Sequence, residues 1–312
     1  MNKLIKQAFT LIELLVVIAI IGILSGMIVV SMSGVTQKAN IAKSQVFANS
    51  VRNLLMINTV VQYSFDDITD YVLSTKVVNS NAGNVPDSWA DNEARAIGGP
   101  ILKEGSECVF GNCLSFDGSN DYVDFGNTGT ASTLLAGDIG FADGDDFTLI
   151  LWYKGLDIGT GSGLGQTLIG RDNGDIYANL VLDDGYFQYN HYNGTWLVDL
   201  KSISRVTDGN WHFLVYVNHS NKTGDVYIDT TKQVSGRASN ITAGRYFKAD
   251  LLMRGYTGEY TSGLIDEVKI YNAALPSSEI KEQYYARLNK MLNNGNISRE
   301  EYLSRINSIA NE

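Results

Sequence analysis

Phe147-Thr148-Leu149-Ile150-Leu151-Trp152-Tyr153 is the stretch on which the fold class turns. Seven consecutive residues are β-branched, aromatic or aliphatic, with acids just before them and Lys154-Gly155 just after. That composition and length read as a buried strand. Trp211-His212-Phe213-Leu214-Val215-Tyr216-Val217 repeats the pattern, and a polar loop joins it to Val226-Tyr227-Ile228. From about Gln62 onward, short apolar alternation is broken by Gly, Asn and Asp, which is the signature of an all-β antiparallel sandwich.

The remaining composition agrees. The chain has 312 residues, 44% apolar and 19% charged, with three Pro, which excludes bulk disorder, collagen and a polytopic membrane protein. Thirty-one Gly and 17 Tyr suit many tight turns between strands. The formal charge of −10 is uneven. Lys3, Lys6, Lys38, Lys43 and Arg52 against the single acid Glu13 give residues 1–60 a charge of +4, so the other 252 residues carry −14. An acidic body excludes nucleic acid as its expected partner, because phosphate binding needs clustered Lys and Arg.

The N-terminus has a different character. Between Phe9 and Met32 the only ionisable side chain is Glu13. Residues 14–32, as a helix, would extend roughly 28 Å at ~1.5 Å per residue, close to the apolar thickness of a bilayer. The run is longer than the apolar region of a secretory signal. Ala8-Phe9-Thr10-Leu11-Ile12-Glu13-Leu14-Leu15-Val16-Val17-Ile18-Ala19-Ile20-Ile21-Gly22-Ile23-Leu24 resembles the type IV prepilin leader and transmembrane segment. The resemblance implies cleavage between Ala8 and Phe9 by a prepilin peptidase and N-methylation of Phe9. It also implies a membrane-stored subunit that assembles with other pilins into a surface or periplasm-facing filament. Ala8 stands where the family most often has Gly. Glu13 falls at the fifth mature position, where its carboxylate could neutralise the new ammonium of a neighbouring subunit in low dielectric. Losing Lys3 and Lys6 with the leader leaves a mature side-chain charge of −12 on 304 residues. From Thr36 to about Val61, apolar residues at helix-like spacing predict a soluble continuation of the pilin helix.

In the body, Tyr192-Asn193-Gly194-Thr195 predicts a hairpin with a two-residue type I′ turn. That turn sets His191 opposite Trp196, Tyr189 opposite Val198 and Phe187 opposite Leu200, an apolar face. The other face pairs Tyr192 with Thr195, Asn190 with Leu197, Gln188 with Asp199 and Tyr186 with Lys201. Trp196, Tyr189 and Phe187 are therefore expected in the core. Tyr186, Gln188, Asn190, Tyr192 and Asp199 are candidates for a ligand-facing sheet, with a plain solvated face as the open alternative.

Leu114-Ser115-Phe116-Asp117-Gly118-Ser119-Asn120-Asp121-Tyr122-Val123 resembles an early strand-turn signature of laminin-G-like, concanavalin-A-type modules. Phe147–Trp152, Asp208-Gly209-Asn210-Trp211-His212, Val226-Tyr227-Ile228-Asp229 and Gly263–Asn272 follow in that family's order. Phe213 stands where a second His is common, and Thr230 where Gly usually follows the Asp. The resemblance implies a two-sheet jelly roll that binds carbohydrate or protein. An exported domain of this kind lies in an oxidising compartment, so a local Cys108–Cys113 disulfide is expected. Many such modules carry calcium. The expected set is Asp117, Asp121 and Asp266, since the first and last strands of the jelly roll lie side by side, although these acids equally suit turns and solubility.

No glycosidase carboxylate pair, nucleophile elbow, phosphate loop or zinc-ligand spacing is present, so no enzymatic activity is expected. Glu279–Met291 predicts a helix, and Ser298 with Glu301 a capping box that opens another. The expected organisation is a leader (1–8), a transmembrane and amphipathic helix (9–61), a β-sandwich (62–285) and a C-terminal helical hairpin (286–312). This describes a minor pilin or pseudopilin displaying a carbohydrate- or protein-binding domain for adhesion. The alternatives are a structural pseudopilin of a secretion or DNA-uptake machine and, further off, a cell-anchored glycan-degrading enzyme.

Overall fold

The computed structural model of the protein describes residues 11–12, 14–22, 58–68, 85–88, 94–125, 140–142, 144–156, 166–170, 177–192, 196–237, 246–248, 251–255 and 258–310. The chain divides into two compact units, Met1–Arg52 and Asn53–Glu312.

In the first unit, residues 11–12 and 14–22 are helical. Their apolar side chains, from Leu11 to Ile21, are 46–83% exposed. No helix among the described residues is long and apolar enough to cross a membrane. The expected sites Ala8, Phe9 and Glu13 lie outside the described residues, as does most of the helix expected up to residue 61. Its last residues are corrected: Thr59–Tyr63 is a strand, so the sandwich begins earlier than the expected boundary at 62.

The strands of the second unit are, in chain order, β1 (Thr59–Tyr63), β2 (Arg95–Ile97), β3 (Ile101–Glu104), β4 (Asn112–Asp117), β5 (Tyr122–Asp124), β6 (Gly140–Ala142), β7 (Phe147–Lys154), β8 (Gln166–Gly170) and β9 (Tyr177–Asp183). They continue with β10 (Tyr186–Tyr192), β11 (Trp196–Arg205), β12 (His212–His219), β13 (Thr223–Ile228), β14 (Thr231–Arg237), β15 (Tyr246–Lys248), β16 (Leu251–Leu252) and β17 (Ser262–Tyr271). They form two sheets. The first runs β14-β13-β12-β7-β17-β4-β3, with β1 also paired to β17. The second runs β11-β10-β9-β8-β16-β5-β2, with β6 and β15 attached at its side. The first and last strands thus lie together, with Val61 opposite Ile270 and Tyr63 opposite Val268.

The core fills the space between the sheets. It takes Leu149, Leu151 and Tyr153 from β7, Leu214 and Tyr216 from β12, and Leu180, Leu182, Phe187, Tyr189 and Leu200 from the second sheet. Tyr189 stacks on Tyr216 across the layers at 4.3 Å between centroids. Burying each such side chain contributes about 1.5–3 kcal/mol.

Two helices follow β17, and the first covers the outer face of the first sheet. Helix α1 (Ser277–Asn293) buries Ile280, Tyr284, Leu288 and Met291, one stripe at helical spacing. Tyr284 lies flat on Trp152, 5.4 Å away and 7° from parallel, and meets Phe213 at 5.6 Å. This explains why residues 147–153 are apolar without alternation: the core claims one side of β7 and α1 the other, so all seven are buried. It also accounts for Phe213 in place of a histidine, since that position closes an aromatic cluster. Helix α1 straddles the expected boundary at 285/286. Helix α2 (Arg299–Ala310) begins as expected, with the Glu301 amide donating to Ser298 Oγ at 3.0 Å.

Thr230 marks a local strain. The two residues between β13 and β14, Asp229 and Thr230, have φ of +50° and +80°. A β-branched residue is disfavoured in that left-handed region. The turn is held because the Asp229 carboxylate accepts the Phe213 amide at 2.9 Å and pairs with His212 Nδ1 at 2.7 Å.

Candidate functional site

The outer face of the second sheet follows from the alternation of β10. Phe187 and Tyr189 point into the core. Gln188 and Asn190 therefore point the opposite way, and both are buried, Gln188 completely. Gln188 pairs in register with Val181 and Lys201, and Val181 with Thr167. A row Lys201, Gln188, Val181, Thr167 thus crosses four strands. It reaches the β16–β17 connection at Gly255, where a Cβ would lie 2.6 Å from Thr167 Oγ1 and 2.4 Å from Glu259 Oε2. A side chain there would force the Thr167 and Glu259 side chains to move aside. Among the described residues, neither the amide nitrogen nor the carbonyl oxygen of the Gln188 side chain has a hydrogen-bond partner, and Asn190 Oδ1 also has none. At the side of the row, Tyr186 is half-buried beneath Lys201 and Arg205, whose cationic groups lie 4.7 and 5.3 Å from its ring centre. Farther across the same face, Arg95 is ion-paired with buried Asp124.

The expected hairpin register is corrected. Tyr192 pairs with Trp196 rather than Thr195, His191 with Leu197 and Asn190 with Val198. Three residues, 193–195, separate the strands rather than two. A bulge between Tyr189 and Asn190 shifts the pairing one residue further, setting Tyr189 opposite Leu200 and Gln188 opposite Lys201 and leaving Asp199 as an extra residue rather than the partner of Gln188. The structure thus places Tyr186, Gln188 and Asn190 together on one face. The side chains of Tyr192, Asp199 and Trp196 lie outside the described residues. Phe187 and Tyr189 are in the core as expected. Thr167, Val181, Gly255 and Glu259 were not anticipated, because they join the face only through long-range pairing.

The three acids expected around calcium are not brought together. The Asp117 amide donates to Asp121 Oδ2 at 3.3 Å, within one turn. On β17, however, Asp117 is opposite Ser262. Asp266 is four residues farther along, roughly 13 Å at ~3.3 Å per residue. Its Oδ2 instead accepts the Val109 and Phe110 amides, at 2.9 and 3.0 Å.

Cys108 and Cys113 form the expected disulfide. A buried charge cluster adjoins it. Asp266 and Glu267 are adjacent in sequence, and alternation would send them to opposite faces. A bulge between Asp266 and Lys269 and a φ of +51° at Glu267 change this, so both acids are buried. Glu267 pairs with Arg287 of α1 at 2.6 Å and with Lys269 at 3.5 Å. Burial pushes its carboxyl up, but these cations outweigh burial and hold it below the usual range. Burial and the neighbouring Glu267 push Asp266 well up.

A family model described as the concanavalin A-like lectin/glucanases superfamily matches residues 117–281, just over half of the chain. The chain belongs to that superfamily. A second model, the prokaryotic N-terminal methylation motif, matches residues 5–29, so a prepilin-type N-terminus is fused to a lectin-type domain. That motif implies membrane-anchored assembly, with processing by a peptidase and association with other pilins. No curated protein matches the chain. Among solved structures, domain 4 of an extracellular arabinanase from Geobacillus stearothermophilus, in complex with arabinotriose, is similar at TM-score 0.52 and 19% identity. The match covers 72% of this chain and 97% of that one. The ligand-binding domain of botulinum neurotoxin serotype D, in complex with N-acetylneuraminic acid, is similar at TM-score 0.53 and 14% identity. It covers 76% of this chain and 53% of that chain, so this protein spans about half its length. The binding domain of Paraclostridial Mosquitocidal Protein 1 gives TM-score 0.50 and 14% identity over 75% of this chain and 53% of that one.

Proposed function

We propose that this protein is a minor pilin or pseudopilin whose sandwich binds a glycan on the outer face of the second sheet, giving surface adhesion without turnover. The observation that carries the reading is Gln188. A fully buried carboxamide with neither end hydrogen-bonded costs about 1–3 kcal/mol per group. A ligand rich in hydroxyls would meet this face at half-buried Tyr186 and, by displacing what covers Gln188, satisfy both of its ends; Asn190, two residues along the same strand, adds an acceptor and donors of the same kind. Two structures of similar fold contain sugar ligands, which supports the ligand class.

The test is a glycan array probed with the full chain in detergent micelles, comparing the natural protein with Gln188→Leu. Binding to a glycan class that the variant loses supports the reading. Binding unaffected by the variant would move the site elsewhere, and absence of binding to any glycan would favour the structural pseudopilin.

A further inference from the structure

The Cys108–Cys113 loop lies at the junction between the sandwich and the C-terminal helices. Both cysteines and Val109 are fully buried. The loop's amides serve the sandwich: Val109 and Phe110 donate to Asp266, and Asn112 to Asp66 Oδ1 at 2.8 Å. Its outer side serves the helices. Arg287 and Lys290 of α1 lie over the Phe110 ring, 5.0 and 3.5 Å from its centre. Asn296, in the turn between α1 and α2, donates to the Cys108 carbonyl. On the loop's preceding side, the Glu107 carbonyl accepts Trp211 Nε1 at 3.1 Å.

We propose that the disulfide is a gate for docking of the C-terminal helical hairpin: the loop oxidises first, and the helices close over it. The chemistry is thiol–disulfide exchange with a disulfide-bearing oxidant of the exported compartment. One cysteine thiolate attacks a sulfur of the oxidant and displaces a thiolate. The second cysteine thiolate then attacks the mixed disulfide. The loop loses two electrons and two protons, and the oxidant leaves as a dithiol. An oxidant cannot reach sulfurs that are already fully covered, so closure follows oxidation.

The energetic link is Asp266. Its carboxylate is fully buried and relies on two consecutive amides that the closed loop holds in place. In the reduced chain those amides are free to wander. Closing α1 over the site would then bury the carboxyl oxygen without its donors, which is unfavourable whether the group is charged or neutral. Oxidation therefore favours docking, and by reciprocity docking protects the disulfide.

Two measurements on the full chain in detergent test this. In Cys108→Ser/Cys113→Ser, hydrogen exchange of residues 277–293 should accelerate at least about tenfold while β12 keeps its protection, the size expected of a coupling between two sites. In the natural sequence, reduction of the disulfide by a small thiol should be slow. Leu288→Ala, which loosens the α1 stripe, should speed it by about tenfold. Wild-type protection of α1 in the serine variant would overturn the proposal, as would a reduction rate unchanged by Leu288→Ala. If the serine variant loses β12 protection as well, the Leu288→Ala kinetics decide between the two outcomes.

Discussion

Replacing Gln188 by Leu should make this protein more stable and less functional. The side chain sits at 0% exposure between Val181 and Lys201, with both polar ends unpaired among the described residues. Each buried unsatisfied group costs about 1–3 kcal/mol. Leucine removes both and keeps the apolar contact with Val181. Shape mismatch takes back about 1 kcal/mol, as hydrophobic swaps of similar volume usually do. The net gain is about 3 kcal/mol. For a domain of this size, each kcal/mol raises Tm by about 2–4 °C, so scanning calorimetry should show a rise of about 6–12 °C. The same substitution removes the donor and acceptor proposed to meet the ligand. A lower or unchanged Tm would refute the reasoning, since it would mean that Gln188 is already satisfied and has no need of a ligand.

Other substitutions report on other parts of the molecule. Thr230→Gly should raise stability by about 1 kcal/mol by relieving a β-branched residue at φ +80°; a fall in the urea midpoint would contradict this. His212 is pushed down by burial, but Asp229 and Asp208 outweigh burial and raise it above 6.5. Its stabilising charge is fully present below pH 6.5 and is lost as pH rises through the raised value. Asp208, pushed up by burial but held low by Asn210 and His212, acts in the opposite sense and loses its contribution only in acid. Urea midpoints should therefore decline above neutral pH in the natural protein, and His212→Gln should flatten that decline. Arg287→Ala should cost about 3–5 kcal/mol, because it leaves the buried Glu267 carboxylate with Lys269 alone, 3.5 Å away. A loss below about 1 kcal/mol would show that the carboxylate takes up a proton at little expense.

The N-terminal motif and the sandwich class were legible in the sequence because each rests on short-range pattern. One long apolar run with a single acid marks the pilin segment, and runs such as Phe147–Tyr153 mark strands whatever lies beside them. The C-terminal helices were legible for the same reason, as Ser298 and Glu301 sit one helical turn apart and their bond formed. The hairpin face was half legible. Alternation correctly separated Phe187 and Tyr189 from Gln188 and Asn190. The pairing across to β11 went wrong by one residue at the turn, two at Gln188 and four at Tyr186, because Asn193-Gly194 suited a two-residue turn and the chain uses three residues and two bulges. Nothing local distinguishes those choices; contacts on both faces of the strand do.

What the amino-acid order determined alone, then, is the periodicity of its most strongly patterned segments: strands such as Phe147–Tyr153, the C-terminal helices, and the apolar side of β10. Only the tertiary structure decided which distant side chains meet. Thr167, Val181 and Gly255 join Gln188 across strands far apart in sequence. Asp266 leaves the expected calcium set for the amides of a disulfide loop more than 150 residues away. A bulge at Glu267 turns two neighbouring acids into one buried cluster, against the alternation that their adjacency implies. The physical reason is the same in each case. Local geometry sets the direction of a side chain, but its partner depends on sheet order and register, which the packed core selects as a whole.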